Sequence, residues 1–373
     1  MFLVSKPQPP GNLYNDNLHN DGREQMDLLR PAKFRVLQAA RGLAAVLVVI
    51  CHASAFVGDE PELWHRVEVY RWLRGGALGV QLFFVLSGVV IWAAHRNDIG
   101  RPSSLPSFLW KRFRRIYPLY WFFFLLTVAK QITDPRTVFS YQKDPWVIAS
   151  GIFLLHLFSV RTNMVVAWTL FDEVMFYIGF ATLLLRRNVG IVVLTLWMGA
   201  SLFFLAPSES YLAVIFSPNH LLFGLGIFVA WRLERENPQY ATRYAGGLLA
   251  VGSVVFLTCV LLAGHAMQYG MAVRLIAGVG AAGALMGAVE IERRGGWKIP
   301  DWLSFLGDAS YSIYLAHFMV VSTVARIGYE HWGKLPIPVA VWVVVLVLCG
   351  AGAGILIHLL VERPLLRRLG RSN

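Results

Sequence analysis

Apolar runs of about 18 or more residues recur from one end of this chain to the other. In lipid, such a run is stable only as a helix, because every backbone donor and acceptor must be paired inside the segment. The recurrence therefore predicts an all-α fold, a polytopic transmembrane helical bundle. Composition agrees: 56% of residues are hydrophobic and 15% are charged, where a soluble domain carries roughly a quarter charged. No internal polar stretch is long enough for a separate soluble domain.

Ten runs read as spans, at about 36–56, 77–94, 117–131, 166–185, 190–206, 212–231, 244–263, 270–289, 310–327 and 338–361. An eleventh run, WVIASGIFLLHLF at 146–158, has only 13 residues, which suits a re-entrant or interfacial segment. Basic residues orient the chain. With a cytoplasmic N-terminus and no crossing at 146–158, Arg35, the cluster at 111–115, Arg186–Arg187, Arg293–Arg294 and Arg367–Arg368 all fall inside. A crossing at 146–158 would move the last three groups outside, against the positive-inside rule. Both termini are therefore expected in the cytoplasm. Between the first two spans, Leu63, Trp64, Val67, Tyr70 and Leu73 recur at helical spacing. That pattern predicts a short amphipathic helix on the outer membrane surface, or a plain structured loop.

The net charge of +12 follows from this loop pattern and does not call for nucleic acid. Cys51, Cys259 and Cys349 all lie in apolar runs without metal or disulfide spacing. The polar segment 1–34 lacks the apolar stretch of a signal peptide and reads as a disordered cytoplasmic tail. Residues 35–363 form the transmembrane domain, and 364–373 a basic cytoplasmic tail.

Ionisable groups at membrane depth are costly, so each is a functional candidate. Arg41 and His52 lie eleven residues apart in QAARGLAAVLVVICHAS. That is close to three helical turns, so both occupy one face, separated by roughly 16 Å along the axis. Arg41 falls near the cytoplasmic entrance and His52 in the outer half. Glu173, in AWTLFDEVMFYIGF, falls at a depth similar to His52 and could fix its tautomer. Asp172 points about 100° away, toward an outer cavity. Lys111, Arg112, Arg114 and Arg115 fall within five residues at the mouth of the third span, backed by Tyr117 and Tyr120. Such a cluster satisfies the charge rule and would also grip a phosphorylated ligand. Ser87, among Gly75, Gly76, Gly79 and Gly88, reads as packing or as a hydrogen-bond donor, since no Gly-x-Ser-x-Gly elbow surrounds it. His317 is a structural or functional residue about a third of the way through the ninth span, and His156, His220, His265 and His358 read as structural.

These motifs, taken together and in order, resemble those of the acyltransferase-3 family of integral-membrane acyltransferases, over about residues 35–370. Arg41 and His52 match its Arg-x10-His signature. GALGVQLFFVLSGVVI matches its second-span pattern, and KRFRRIYPLYW matches its basic-IYP element through Lys111, Arg112, Arg115, Tyr117 and Pro118. WTLFDEVMFY matches through Trp168, Glu173, Phe176 and Tyr177; LGDASYSIYLAH and VERPLLRRL match the two closing motifs. The short chain, the WTL form and the Leu-Gln before the arginine motif resemble the exopolysaccharide O-acetyltransferases. Asp172, and the lack of an acid before the phenylalanine of the sixth span, depart from the pattern.

The resemblance implies an enzyme of a bacterial inner membrane. It would move an acyl group, usually acetyl, from cytoplasmic acyl-CoA to a hydroxyl of an exopolysaccharide or other envelope glycan. His52 would be the general base, supported by Glu173. Arg41, Lys111, Arg112, Arg115 and Tyr117 would hold the donor, and Asp172, Trp168, Tyr177, Ser87 and His317 would serve the acceptor or support these groups. Acyl-CoA is then a co-substrate, with no permanently bound cofactor and no metal. The expected partners are a glycan or lipid-linked saccharide and the lipid bilayer. A transporter or flippase for such a saccharide, and an acyltransferase acting on an antibiotic or lipid, are the alternatives; in the first, the intramembrane Arg, His and Glu would be substrate or proton groups.

Overall fold

The computed structural model describes residues 34–58, 68–133, 140–155, 161–203, 211–235, 238–265, 270–332 and 337–370. The expected tail 1–34 lies outside these residues save Phe34, and Leu63, Trp64 and Val67 of the expected amphipathic helix lie outside them too.

Every expected span falls on a helix. In order, these are α1 (Arg35–Gly58), α2 (Gly79–His95), α3 (Leu105–Thr133), the short α4 (Pro145–Phe153), α5 (Trp168–Leu185), α6 (Arg187–Ala200), the one-turn α7 (Tyr211–Ile215), α8 (Asn219–Arg235), α9 (Pro238–His265), α10 (Met271–Arg293), α11 (Asp301–Asp308), α12 (Ser310–Trp332), α13 (Val339–Ile357) and α14 (Arg363–Gly370). No strand occurs among the described residues. Seven helical segments are long and apolar enough to cross a membrane; the helices at 105–133 and 310–332 carry more polar side chains, and α6 has only 14 residues. The protein is a multi-pass helical membrane protein.

Ion pairs and hydrogen bonds gather the starts of α1 and α3 and the ends of α2, α8 and α10 at one end of the bundle, called here the basic end. The free backbone N–H groups of Arg35 and Val36 donate to Glu292 at 2.8 and 3.0 Å, so α10 caps α1. Arg35 also pairs with Asp301, and Arg96 with Glu234. Close helix crossing needs glycine at a few positions. A methyl group on Gly88 of α2 would lie 2.1 Å from the carbonyl oxygen of Phe223, and one on Gly226 of α8 would lie 2.0 Å from that of Val85. Phe176 stacks on Phe223 at 4.2 Å in the core beside this crossing. Large apolar side chains such as Leu125, Leu196, Val251 and Leu348 remain exposed on outward faces, as lipid contact requires.

Three expectations change. The sixth span is not one helix, because α7 and α8 are separated at Phe216–Pro218. Pro218 has no N–H and disfavours helix at Ser217, whose hydroxyl instead accepts from the N–H of Asn219 at 3.3 Å. The described part of the expected amphipathic segment, Glu68–Leu78, is a 3-10 helix packed against α1 and α9. A methyl group on Gly75 would lie 1.7 Å from the carbonyl oxygen of Val260, so nothing larger than glycine fits there. Residues 364–370, expected as tail, continue as the basic helix α14.

Within the run at 146–158, of which 156–158 lie outside the described residues, the nine-residue α4 is roughly 13 Å long, too short to cross about 30 Å of hydrocarbon. Its final carbonyls would be costly to leave bare in lipid. Side chains of α3 cover them. Tyr120 Oη donates to Gly151 O at 2.7 Å, Trp121 Nε1 to Ile152 O at 2.9 Å, and Tyr117 Oη to Phe153 O at 2.7 Å. Asp144 caps the other end by accepting from Trp146 N at 2.8 Å.

Candidate active site

Near the basic end, α1, α2, α3, α5 and α12 enclose a cavity of about 110 Å³. Its wall carries three arginines, Arg41, Arg112 and Arg115, one carboxylate, Glu173, and the hydroxyl groups of Ser87, Tyr177 and Tyr311. Helical geometry accounts for the grouping. Arg112 and Arg115 are three residues apart on α3, as are Tyr311 and Tyr314 on α12, so each pair shares a face.

The three arginines differ in their partners. Arg115 Nη1 donates to Glu362 Oε1 at 3.0 Å, and its guanidinium lies 5.2 Å from the ring of Tyr311. Glu362 is buried, and its other oxygen accepts from Ser312 Oγ and from His358 Nδ1, both at 2.7 Å. The π-helical turn His358–Glu362, which follows α13, brings that carboxylate inward. Arg112 Nη2 instead donates to His95 Nε2 at 3.2 Å, and its Nε has no hydrogen-bond partner among the described residues. Arg41 has Arg115, Glu173 and Glu362 as ionisable neighbours, but among the described residues it makes no hydrogen bond or ion pair.

Glu173 accepts a short hydrogen bond from Tyr177 one turn along α5. This overturns the expected contact between Glu173 and His52: the carboxylate belongs to the arginine cavity. His52 pairs with another histidine, because His317 Nε2 lies 3.2 Å from His52 Nδ1 and the ring centroids are 5.0 Å apart. The proton positions follow from the carbonyl partners. Val48 O lies 3.0 Å from His52 Nδ1, and Ile313 O lies 3.1 Å from His317 Nδ1. A carbonyl only accepts, so both Nδ1 atoms carry hydrogen in the neutral rings. The one hydrogen on His52 Nδ1 is then shared between Val48 O and His317 Nε2, which leaves the lone pair of His52 Nε2 free for a substrate proton.

Cavity and histidine pair meet at Tyr314. Its ring lines the cavity and lies 5.8 Å from the His317 ring. Its hydroxyl is within 2.8 Å of Thr169 Oγ1 and donates to Val166 O at 3.0 Å, which fixes the ring between the two sites.

Several expected site residues stand elsewhere. Lys111 is exposed and off the cavity wall, facing away from Arg112 on the same helix. Tyr117 commits its hydroxyl to α4 and does not line the cavity. Trp168 is 39% exposed and meets Phe84 edge-on at 6.4 Å, outside the wall. Asp172 does not line this cavity. Adjacent to Glu173 but turned to another face of α5, it is buried where it accepts from Asn219 Nδ2 at 2.7 Å and lies 3.8 Å from His220 Nε2. Ser87 and Tyr177 do line the cavity, and His317 is joined to His52.

The sequence reading passed over His95, Glu362, Ser312 and Tyr314. Two of these carried a usable signal. His95 and Asp98 are spaced i, i+3 at the end of a span, level with Arg112, and Glu362 is an acid at the edge of an apolar run.

Residues 35–356 match the family model described as an acyltransferase domain, that of the acyltransferase-3 family. The exopolysaccharide production protein ExoZ of Rhizobium meliloti (strain 1021) is 30% identical over 315 residues, 80% of this chain and 91% of its own length. The peptidoglycan O-acetyltransferase OatA of Listeria monocytogenes is 23% identical over 329 residues, 78% of this chain but half of its own length. Protein 2 in the picA locus of Rhizobium radiobacter is 28% identical over 197 residues, 48% of this chain and 97% of its own length. No solved structure matches. A family match over most of the chain, on a bundle that holds an arginine-lined cavity beside a histidine pair, makes this chain a member of the acyltransferase-3 family and an acyltransferase.

Proposed function

We propose that the protein transfers an acetyl group from cytoplasmic acetyl-CoA to a hydroxyl of an exopolysaccharide or related envelope glycan. The observation that carries this reading is the contact at Tyr314 between a cavity of three arginines and the His52–His317 pair. Among the described residues, neither Arg41 nor Arg112 forms an ion pair with a carboxylate, which suits the phosphates of a CoA donor. The basic end is then cytoplasmic, as is the N-terminus that leads into Arg35.

In this reading the thioester reaches past Arg41 toward His52. The acceptor oxygen attacks the thioester carbonyl carbon, its proton passes to His52 Nε2, the carbon–sulfur bond breaks, and the departing thiolate takes up a proton. His317 accepts from His52 Nδ1 and so holds that ring in the tautomer whose Nε2 is basic. Similarity to ExoZ favours a polysaccharide acceptor.

The test is incubation of purified protein in nanodiscs with labelled acetyl-CoA and candidate glycans. Label is expected in an alkali-labile ester on the glycan. Labelled glycan formed equally well with boiled protein, or export of unmodified glycan from loaded vesicles, would overturn the reading.

A further inference from the structure

His95 is buried at the last position of α2 and has a partner at each ring nitrogen. Arg112 Nη2 donates to its Nε2 at 3.2 Å, and Asp98 Oδ2 lies 2.8 Å from its Nδ1. A guanidinium has donors only, so Nε2 must hold its lone pair, and the ring hydrogen sits on Nδ1, donated to Asp98. The direction of the whole chain is thereby set: Asp98 fixes the tautomer of His95, and His95 fixes the orientation of Arg112. The anchor is itself held. Asp98 belongs to the short turn Arg96–Asp98, where Arg96 pairs with Glu234 and Asp98 O accepts from Ser104 Oγ at 3.4 Å.

The contrast with Arg115 gives this arrangement its meaning. Glu362 neutralises Arg115 in direct contact. His95 orients Arg112 with a neutral acceptor, so the positive charge of that arginine remains whole. The rings of Phe108 and Tyr177 lie 5.7 and 5.6 Å from the same guanidinium and add orientation without a countercharge. Arg112 Nε is buried and has no hydrogen-bond partner among the described residues. We propose that His95, set by Asp98, is a positioning residue that aims a fully charged Arg112 at an anionic group of the acyl donor. The proposal rests on the acyl-CoA reading above.

The test is acetyl-CoA affinity, measured by titration calorimetry on the full-length protein in nanodiscs, for the wild type and five variants. His95→Phe keeps ring packing against Phe108, which His95 meets edge-on at 4.9 Å, but removes the acceptor. It is expected to weaken binding roughly tenfold, the worth of one hydrogen bond to a charged group. His95→Gln restores an acceptor and should recover most of that loss. Asp98→Ala should cost roughly threefold, and it supplies the answer if His95→Phe does not fold. Arg112→Ala combined with His95→Phe should bind no more weakly than Arg112→Ala alone. Wild-type affinity in His95→Phe or, should that variant not fold, in Asp98→Ala would overturn the proposal while leaving the donor reading intact. So would additive losses in the double variant, or no rescue by Gln. A wild-type protein that does not bind acetyl-CoA would overturn the donor reading and this proposal with it.

Discussion

On one face of α5, Glu173 shares a cavity with Arg41, Arg112 and Arg115; on another, Asp172 is buried with Ser217, Asn219 and His220. Both clusters put ionisable side chains inside a membrane bundle, and by that criterion alone both are functional candidates. They differ in what surrounds them. The arginine cluster lines a cavity and borders the histidine pair. The Asp172 cluster lies against the break between α7 and α8, with Trp197 at 4.2 Å from the His220 ring, and is outside the wall of that cavity. Its chemistry holds a broken helix against α5. Polarity at membrane depth thus marks importance, and access separates catalysis from architecture.

That contrast can be broken or sharpened by substitution, and the largest effect is expected at His52. His52→Ala should lower acetyl transfer by at least about 100-fold, the scale of a lost general base; rate measurements with saturating donor check it. Arg112→Ala should raise the KM for acetyl-CoA by roughly 10- to 100-fold with a smaller change in kcat, because a charge-assisted contact to the donor is lost. Glu362→Gln leaves Arg115 without its countercharge. Since Arg115 is partly exposed, the expected cost is on the order of 2 kcal/mol of stability, read by thermal unfolding in detergent. Asp172→Ala should destabilise by about 1–3 kcal/mol through unpaired Asn219 and Ser217, yet leave the transfer rate of the folded fraction within about twofold. A hundredfold fall in rate for Asp172→Ala would erase the distinction between the two clusters.

Much of the fold was legible because lipid leaves few choices. Length and hydropathy located the helices on which the expected spans fall, and the short run at 146–158 was set apart from them, as its nine-residue helix bears out. The break at Ser217–Pro218 was hidden inside a continuous apolar run, although the proline announced it. The site was legible by depth and not by pairing. Arg41, His52, Glu173, Arg112 and Arg115 all stand near the cavity or the histidine pair, but Glu173 and His52 were joined on depth alone. Which faces of α5 and α12 turn toward α1 depends on packing of several helices, and that packing delivers His317, not Glu173, to His52. Tyr117 shows the same limit, since its place in a basic motif gave no sign that α4 would need its hydroxyl.

The central claim is that donor binding and proton transfer reside in two adjoining but separate sites. One comparison tests it most directly: acetyl-CoA affinity and acetyl transfer measured side by side on His52→Ala protein. The account predicts wild-type affinity for acetyl-CoA with transfer to glycan abolished. Transfer at the wild-type rate would contradict it, and so would loss of donor binding in a variant that still folds.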